Sequence, residues 1–445
     1  MAGESASFDD HEHDANASFI KNHEHAGGKK LSEEIAGMLG SLKPFPESPG
    51  YCIYKVSEPI RQSNEQAYTP QVISIGPFHR NNPKLQSMEE FKLRYLQSFR
   101  DRDKINLEDL VSAIKGAEEG ARERYSEPIK LGSDDFLKMI LVDAIFIIEF
   151  FRKNWSKIWT KYDRRILTPW LSSRVQMDLI LLENQLPFFI IEKIYDIAFP
   201  SLSKDHPFIE LTFCQFQYFN VQGYEPRDFW SSGIIILHFT DLLRNFCLPP
   251  CERQPERSVG IIKEMHSATQ LAEIGLKFKK ITSNSSTICS PLELKYADGV
   301  LEIPCFQLDI TTEIHARNLV ALEECHFPED AYITDYYILL SFLIKTGEDM
   351  DLLVREQIIA NWLDGVVATS MINKLSEKSF YSQMNSHYQK MAQKLNGFYA
   401  SQSKLTWRRA LFSTPLIGAS AISAFLLLLF TCVQSLCSVL SLKYF

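Results

Sequence analysis

The chain has no surplus of positive charge. Its 47 Lys and Arg stand against 55 Asp and Glu, a formal charge of −8, with a pI near 5.8. Nucleic-acid binding needs clustered cations to neutralise phosphates, so that class of partner is excluded. Nine cysteines are scattered over 445 residues, without the dense, even spacing of a disulfide-stapled secreted scaffold. Gly-x-x-x-x-Gly-Lys, Gly-x-Gly-x-x-Gly, Gly-x-Ser-x-Gly and His-Glu-x-x-His are all missing. Nucleotide, dinucleotide, serine-hydrolase and zincin readings therefore lack their signatures. No apolar h-region opens the chain, so no secretory signal peptide is expected. Glycine is sparse, at 19 against 30 phenylalanines, which predicts an aromatic-rich core.

Hydrophobic residues at 45% and charged residues at 23% are ordinary for a globular protein and sufficient for a sizeable core. One stretch departs from that average. From Ala410 to Leu442 there is no charged residue, and its centre reads Ala424-Phe425-Leu426-Leu427-Leu428-Leu429-Phe430. A bilayer core of roughly 30 Å needs about 20 apolar residues in a helix. With Lys404, Arg408 and Arg409 before the run and Lys443 after it, the reading is a single-pass C-terminal anchor over 410–442. The N-terminal side is then cytoplasmic by the positive-inside rule. Residues 401–409 form the basic juxtamembrane segment and 443–445 a short tail.

Residues 1–30 read as a disordered, acidic, His-containing tail ending in Gly27-Gly28-Lys29-Lys30. The His11-Glu12-His13 and His23-Glu24-His25 pairs within it are weak metal candidates only. The helical domain is expected over 31–400, opening with a short helix at 31–39. Two apolar runs, Cys52–Val56 and Gln71–Ile75, read as strands or extended segments, the second stopped by Gly76-Pro77. Helical spacing predicts helices over 88–99, 107–125, 134–151, 164–182 and 184–199, with Pro187 in a first turn. The 200–260 region is irregular, a candidate variable loop with one helix at 232–246. Ser267 and Gln270 resemble a capping box. Asp298-Gly299 between Leu292–Tyr296 and Val300–Ile303 predicts a tight hairpin. Further helices are expected at 311–325, capped by Thr311, and at 330–344, 350–363 and 376–398.

Candidate chemistry is thin. Cys247 and Cys251 have no second Cys or His pair to complete a four-ligand zinc site. Acids inside apolar runs are the more pointed feature: Asp143, Glu149, Asp178, Glu183, Asp309, Glu323 and Asp335. An unpaired buried carboxylate costs several kcal/mol or shifts its pKa, so each should have a partner or serve as a cap. Arg94, Arg174 and Arg317 are natural partners. Asp178 and Glu183 lie about 140° apart around a helix axis and converge only if the helix breaks between them. His79, with no nucleophile or acid beside it in sequence, reads as a hydrogen-bonded structural histidine.

The same segments resemble the plant-specific domain-of-unknown-function 247 family. Its extended motif and following helix appear as Pro70-Gln-Val-Ile-Ser-Ile-Gly-Pro-Phe-His79 and Met88-Glu-Glu-Phe-Lys92. Its later motifs appear as Asp143-Ala-Ile-Phe-Ile-Ile-Glu149 and Asp178-Leu-Ile-Leu-Leu-Glu-Asn-Gln-Leu-Pro-Phe-Phe189. Leu301–Pro304, Asn318–Glu323 and Asp335-Tyr336 match further segments, so the likeness runs from about Tyr51 to the C-terminus. Ala144 stands where the family often has glycine. The resemblance implies a membrane-associated, mostly helical plant protein with no agreed biochemical activity. Some members are associated with self-incompatibility in grasses, which implies a recognition role for them.

The expected fold is thus mainly α: a large multi-helix globular domain with a small β-hairpin element, plus one C-terminal transmembrane helix. The expected function is a membrane-anchored recognition or scaffolding protein that is not an enzyme, with the membrane and a protein as partners. The alternative is an enzyme using buried acids around Asp143, Glu183 and Asp335. No residue is assigned a catalytic, cofactor or metal role.

Overall fold

The computed structural model describes residues 29–40, 50–103, 105–281, 290–376, 383–412 and 415–443. The tail expected over 1–30 lies, but for its last two residues, outside them. The chain divides into two units, Met1–Gly50 and Tyr51–Phe445. In the first, residues 29–40 form helix α1, where a short helix is predicted.

The second unit is built on helices. Following the short α2 (Glu58–Arg61), α3 (Gln86–Asp103) and α4 (Leu107–Lys115) pack against α6 (Ser133–Ser156). Gly116 ends α4, and α5 (Glu118–Arg122) begins afresh, so the predicted 107–125 helix is two. Helix α6 starts with Asp134 and Asp135 in its first turn, which suits the positive end of the helix dipole. It ends at Lys157 in the left-handed conformation, φ 59°. Its run of apolar residues all round from Met139 to Phe151 predicts deep burial, and every residue of that run but the half-buried Val142 is buried. Phe146 stacks on Phe150, and Phe151 on Phe208 with ring centroids 5.7 Å apart. This is the aromatic core that the phenylalanine count predicts, built from offset and edge-to-face pairs.

The predicted 164–182 helix is also broken, by Thr168-Pro169, into α7 (Lys161–Ile166) and α8 (Pro169–Leu179). After a turn at 180–186, α9 (Phe188–Ala198) opens with Pro187 as its N-cap rather than at Asn184. Between residues 200 and 260 the chain forms α10 (Leu202–Asp205), α11 (Phe208–Gln215), α12 (Pro226–Ser232) and α13 (Phe239–Cys247). Gly233, φ 68°, ends α12. The expected helix at 232–246 is therefore real only in its second half.

Strands are few and short. β1 (Arg257–Val259) precedes α14 (Ala268–Glu273), whose Ser267–Gln270 capping box forms as the spacing predicts. β2 (Lys277–Lys280), β3 (Lys295–Ala297) and β4 (Val300–Ile303) make one sheet in the order β2-β4-β3. Asp298 (φ 50°) and Gly299 (φ 74°) turn the β3–β4 hairpin with both residues left-handed, as a primed turn demands. β5 (Phe306–Leu308) leads into α15 (Thr312–His326), α16 (Tyr332–Leu343) and α17 (Gly347–Arg355). β6 (Ile359–Asn361) pairs parallel with β5, which cuts short the helix expected to reach 363. α18 (Gly365–Ser376) and β7 (Gln383–Asn385), antiparallel to β1, are followed by α19 (Ser386–Phe412) and α20 (Pro415–Lys443).

The expected transmembrane helix needs correction. Among the described residues no helix is long and apolar enough to cross a membrane. Within α20, Thr431, Gln434 and Ser435 interrupt the apolar run, and Thr431 and Ser435 donate to the Leu427 and Thr431 carbonyls of their own helix. The fold is mainly helical with few strands, and the single-pass anchor over 410–442 with its assigned compartment is not supported.

Candidate functional site

Residues 71–76 look like a strand in sequence but pair with no strand. Their amide groups are taken instead by side chains from distant parts of the chain. Asp178, in the last turn of α8, accepts from Gln71 N (3.0 Å), Val72 N (2.7 Å) and Ile73 N (2.8 Å). Asn184 Oδ1 accepts from Ile75 N at 2.7 Å, and Asp143 Oδ2 from Gly76 N at 2.9 Å. The carbonyls are met in the same way: Asn184 Nδ2 donates to Ile73 O and Lys92 Nζ to Ser74 O. The other strand-like run, Cys52–Val56, makes one bridge, Ile53 to Tyr125, and Val56 N donates to Glu183 Oε1 at 2.8 Å.

These contacts explain the acids one by one. Asp143 is paired with Lys92 at 2.5 Å, and both are 1% exposed. Burial raises the Asp143 pKa, and Lys92 opposes that rise. Asp178 is pushed up to about 6 by burial, opposed by its three amide donors and by the charge of Arg174. Glu183 pairs with Arg61 and, at 2.9 Å, with His79 Nε2. Burial pushes its pKa up, but the His79 and Arg61 hydrogen bonds outweigh this and hold it below the usual range. Glu149 is held by Arg102 through both oxygens and by Arg152.

The C-terminal acids follow the same rule. Glu323 accepts from Ile333 N, Thr334 N and Thr334 Oγ1, capping the start of α16, and pairs with Arg244 at 3.2 Å. Asp335 takes Arg257 Nη1 at 2.5 Å and Asn385 N at 2.9 Å, tying α16 to the β1–β7 pair. Burial raises Asp335 to about 6, opposed by Arg257. Asp309, rather than Thr311, caps α15, accepting from Thr311 N and Thr312 N.

Of the expected arginine partners, only Arg174 acts on one of these acids, and it does so through space. Arg94 pairs with Glu90 on the surface, and Arg317 with Glu313. Asp178 and Glu183 do not converge: the break after Leu179 lets each reach a different part of the N-terminal segment. The cavity beside Asp178 and Arg174 is about 10 Å³, no more than the room for one water. His79 Nε2 stands 2.9 Å from a Glu183 carboxylate oxygen, an acid distant in sequence. Among the described residues the eight cysteines, Cys247 and Cys251 included, are free, and no three His, Cys, Asp or Glu side chains are grouped to hold a metal ion.

A cavity of about 460 Å³ lies elsewhere in the second unit, between residues 217–221, β5, the start of α15 and α16. Phe219, Phe306, Tyr336 and Tyr337 wall it, with His315 inside and Lys280 at the edge. Sequence reasoning missed it, since its residues are scattered between 218 and 337 with no motif in common. A second cavity of about 390 Å³ lies beside Arg253, Tyr332 and His387.

A largely helical domain whose embedded acids serve as internal pins is the class that this geometry defines. The chain belongs to the DUF247 family, plant proteins of unknown function, whose profile matches residues 53–430. It is similar to UPF0481 protein At3g47200 of Arabidopsis thaliana, 28% identical over 426 residues, covering 88% of this chain and 86% of that protein. It is also similar to putative UPF0481 protein At3g02645 of the same plant, 23% identical over 469 residues, covering 84% and 87%. No solved structure matches.

Proposed function

We propose that this protein is a recognition or scaffolding protein, not an enzyme, and that it binds a protein partner through an apolar surface beside the 217–221 segment. The observation behind this reading is the state of the acids. Asp143, Asp178, Glu183, Glu323 and Asp335 are 0–3% exposed, and each is engaged by backbone amides or a cation. An acid-base catalyst needs a carboxylate within reach of substrate, and none of these five lines the 460 Å³ or the 390 Å³ cavity.

The surface is assembled by the fold. Trp362 N donates to Leu308 O at 2.8 Å, and Tyr218 Oη donates to Asp309 Oδ2 at 2.5 Å. Those two bonds bring Trp362, Ile310, Tyr218 and Val221 to one neighbourhood, where they are 79%, 71%, 55% and 66% exposed. Exposed aromatic and branched side chains gathered together are characteristic of protein-binding surfaces, and buried aromatics dominate interface energy.

The test is proximity labelling in plant cells with the full chain and with the Ile310→Asp/Trp362→Ala double variant. Loss of specific labelled proteins from a variant of unchanged thermal stability supports the reading. Identical labelling by both chains overturns it.

A further inference from the structure

The 390 Å³ cavity is large enough to take up a small molecule. Pro249, Pro255, Leu292, Leu294 and Tyr332 make its wall chiefly apolar. It borders the first turn of α19, and Asn385, the residue before that helix, lies in its wall. Asn385 is 4% exposed and is held on two sides. Its backbone N donates to Asp335 Oδ2 at 2.9 Å, and its Oδ1 accepts from His387 N at 2.9 Å, capping α19. Its Nδ2 has no partner among the described residues, yet it is not closed off from solvent. Polar groups around it are taken: Tyr332 Oη donates to Pro255 O, His387 Nε2 to Leu294 O, and Tyr388 Oη to Leu292 O. An amide nitrogen is a donor only, so Asn385 Nδ2 calls for an acceptor on whatever occupies the cavity.

The charges specify that acceptor further. Of the lining side chains, Arg253 is paired with Glu293 at 3.1 Å. Lys295, exposed on β3, forms no ion pair among the described residues. Behind Asn385, Asp335 is balanced by Arg257. The N-terminus of α19 adds partial positive charge, which favours an anion. Its first two amides are already bound, Ser386 N to Glu256 O and His387 N to Asn385 Oδ1. Direct contact therefore falls to the Asn385 amide and to Lys295. One fixed amide and one unbalanced cation match a single carboxylate, whereas a phosphate dianion would bring a second charge with no counter-cation.

We infer that this cavity binds a small amphipathic carboxylate: its acid group accepts from Asn385 Nδ2 and pairs with Lys295, and its apolar body packs on Pro249, Pro255, Leu292 and Tyr332. The inference is independent of the protein-partner reading above. None of the four exposed residues of that surface lines this cavity, and either reading can fail alone.

The probes are 3-phenylpropanoate, 3-phenylpropanamide and 3-phenylpropylamine, which share one skeleton. Each is titrated against the full chain by calorimetry, with thermal stability as a second readout. The expected order is the carboxylate ahead of the amide by about tenfold, the scale of one charge-assisted hydrogen bond, with the amine weakest. Lys295→Met should bring the carboxylate down to the level of the amide. Asn385→Asp keeps an acceptor for His387 N, and so the cap, but puts a negative charge where the donor was. It should abolish binding of 3-phenylpropanoate. Lys295 is exposed, so its variant keeps the fold and decides alone if Asn385→Asp folds poorly. No binding of the carboxylate, equal binding of carboxylate and amide, or a carboxylate affinity unchanged in Lys295→Met overturns the inference.

Discussion

Gly76 faces the backbone carbonyl of Gln185 so closely that a Cβ on Gly76 would lie 2.5 Å from that oxygen. The same oxygen accepts the Tyr125 hydroxyl at 3.1 Å, and Gly76 is left-handed at φ 71°. The segment 71–76 thus passes the 180–186 turn at a distance that only glycine allows. Gly76→Ala is expected to cost about 3 kcal/mol or more, combining left-handed strain with a clash against backbone that cannot yield. Gly223→Ala is the control. Gly223 has φ 68° but open space around its Cβ direction, so about 1–2 kcal/mol is expected there. Urea denaturation of both variants checks the difference, and equal losses would show that the close approach is unimportant.

Asp178 replaces a neighbouring strand for residues 71–73. An asparagine retains one acceptor oxygen but turns an amide group toward donors. Asp178→Asn is therefore expected to destabilise the fold by about 2–4 kcal/mol. Arg174→Gln, which removes only a distant charge, is expected to change stability by about 0.5 kcal/mol or less. Thermal denaturation of the two variants separates the cases.

His238 gives the fold a pH dependence of definite sign. It is the N-cap of α13; Nε2 donates to Cys52 O at 3.0 Å, and Nδ1 accepts from Asp241 N. Burial, opposed by the Cys52 hydrogen bond, lowers its pKa to about 3 from 6.5. Between those values the unfolded chain binds the proton and the folded chain does not, so stability is lost as pH falls from 6.5. The stability advantage of the wild type over His238→Gln should shrink by up to about 1.4 kcal/mol per pH unit over that window. Denaturation at pH 7, 6 and 5 reads this, and a constant gap would contradict a buried neutral imidazole.

Much of the local structure is legible in sequence because its cause is local. Asp298-Gly299 announces its turn, Ser267 and Gln270 their capping box, and the apolar run of α6 its burial on every face. Pro169 breaks the predicted 164–182 helix through its missing N–H. What was illegible depends on distant pairs. Gln71–Ile75 has a strand's composition, but its amides end on Asp178 and Asn184, more than a hundred residues away. Nothing in the local pattern says that Asp143 pairs with Lys92, or Asp335 with Arg257, instead of Arg94, Arg174 or Arg317. The β1–β7 and β5–β6 pairs join segments far apart in the chain and leave no periodic trace. The uncharged stretch over 410–442, with its apolar centre and flanking charges, reads as an anchor, yet among the described residues no helix is long and apolar enough to cross a membrane.

The claim that the family's acidic motifs are internal pins is tested most directly by amide hydrogen exchange at Gln71–Gly76. These amides belong to no helix or strand, so unaided they would exchange quickly. Slow exchange at Gln71, Val72 and Ile73 in the wild type is expected, lost at those three positions in Asp178→Asn while Gly76 stays protected by Asp143. Rapid exchange throughout the segment in the unaltered chain would contradict the account.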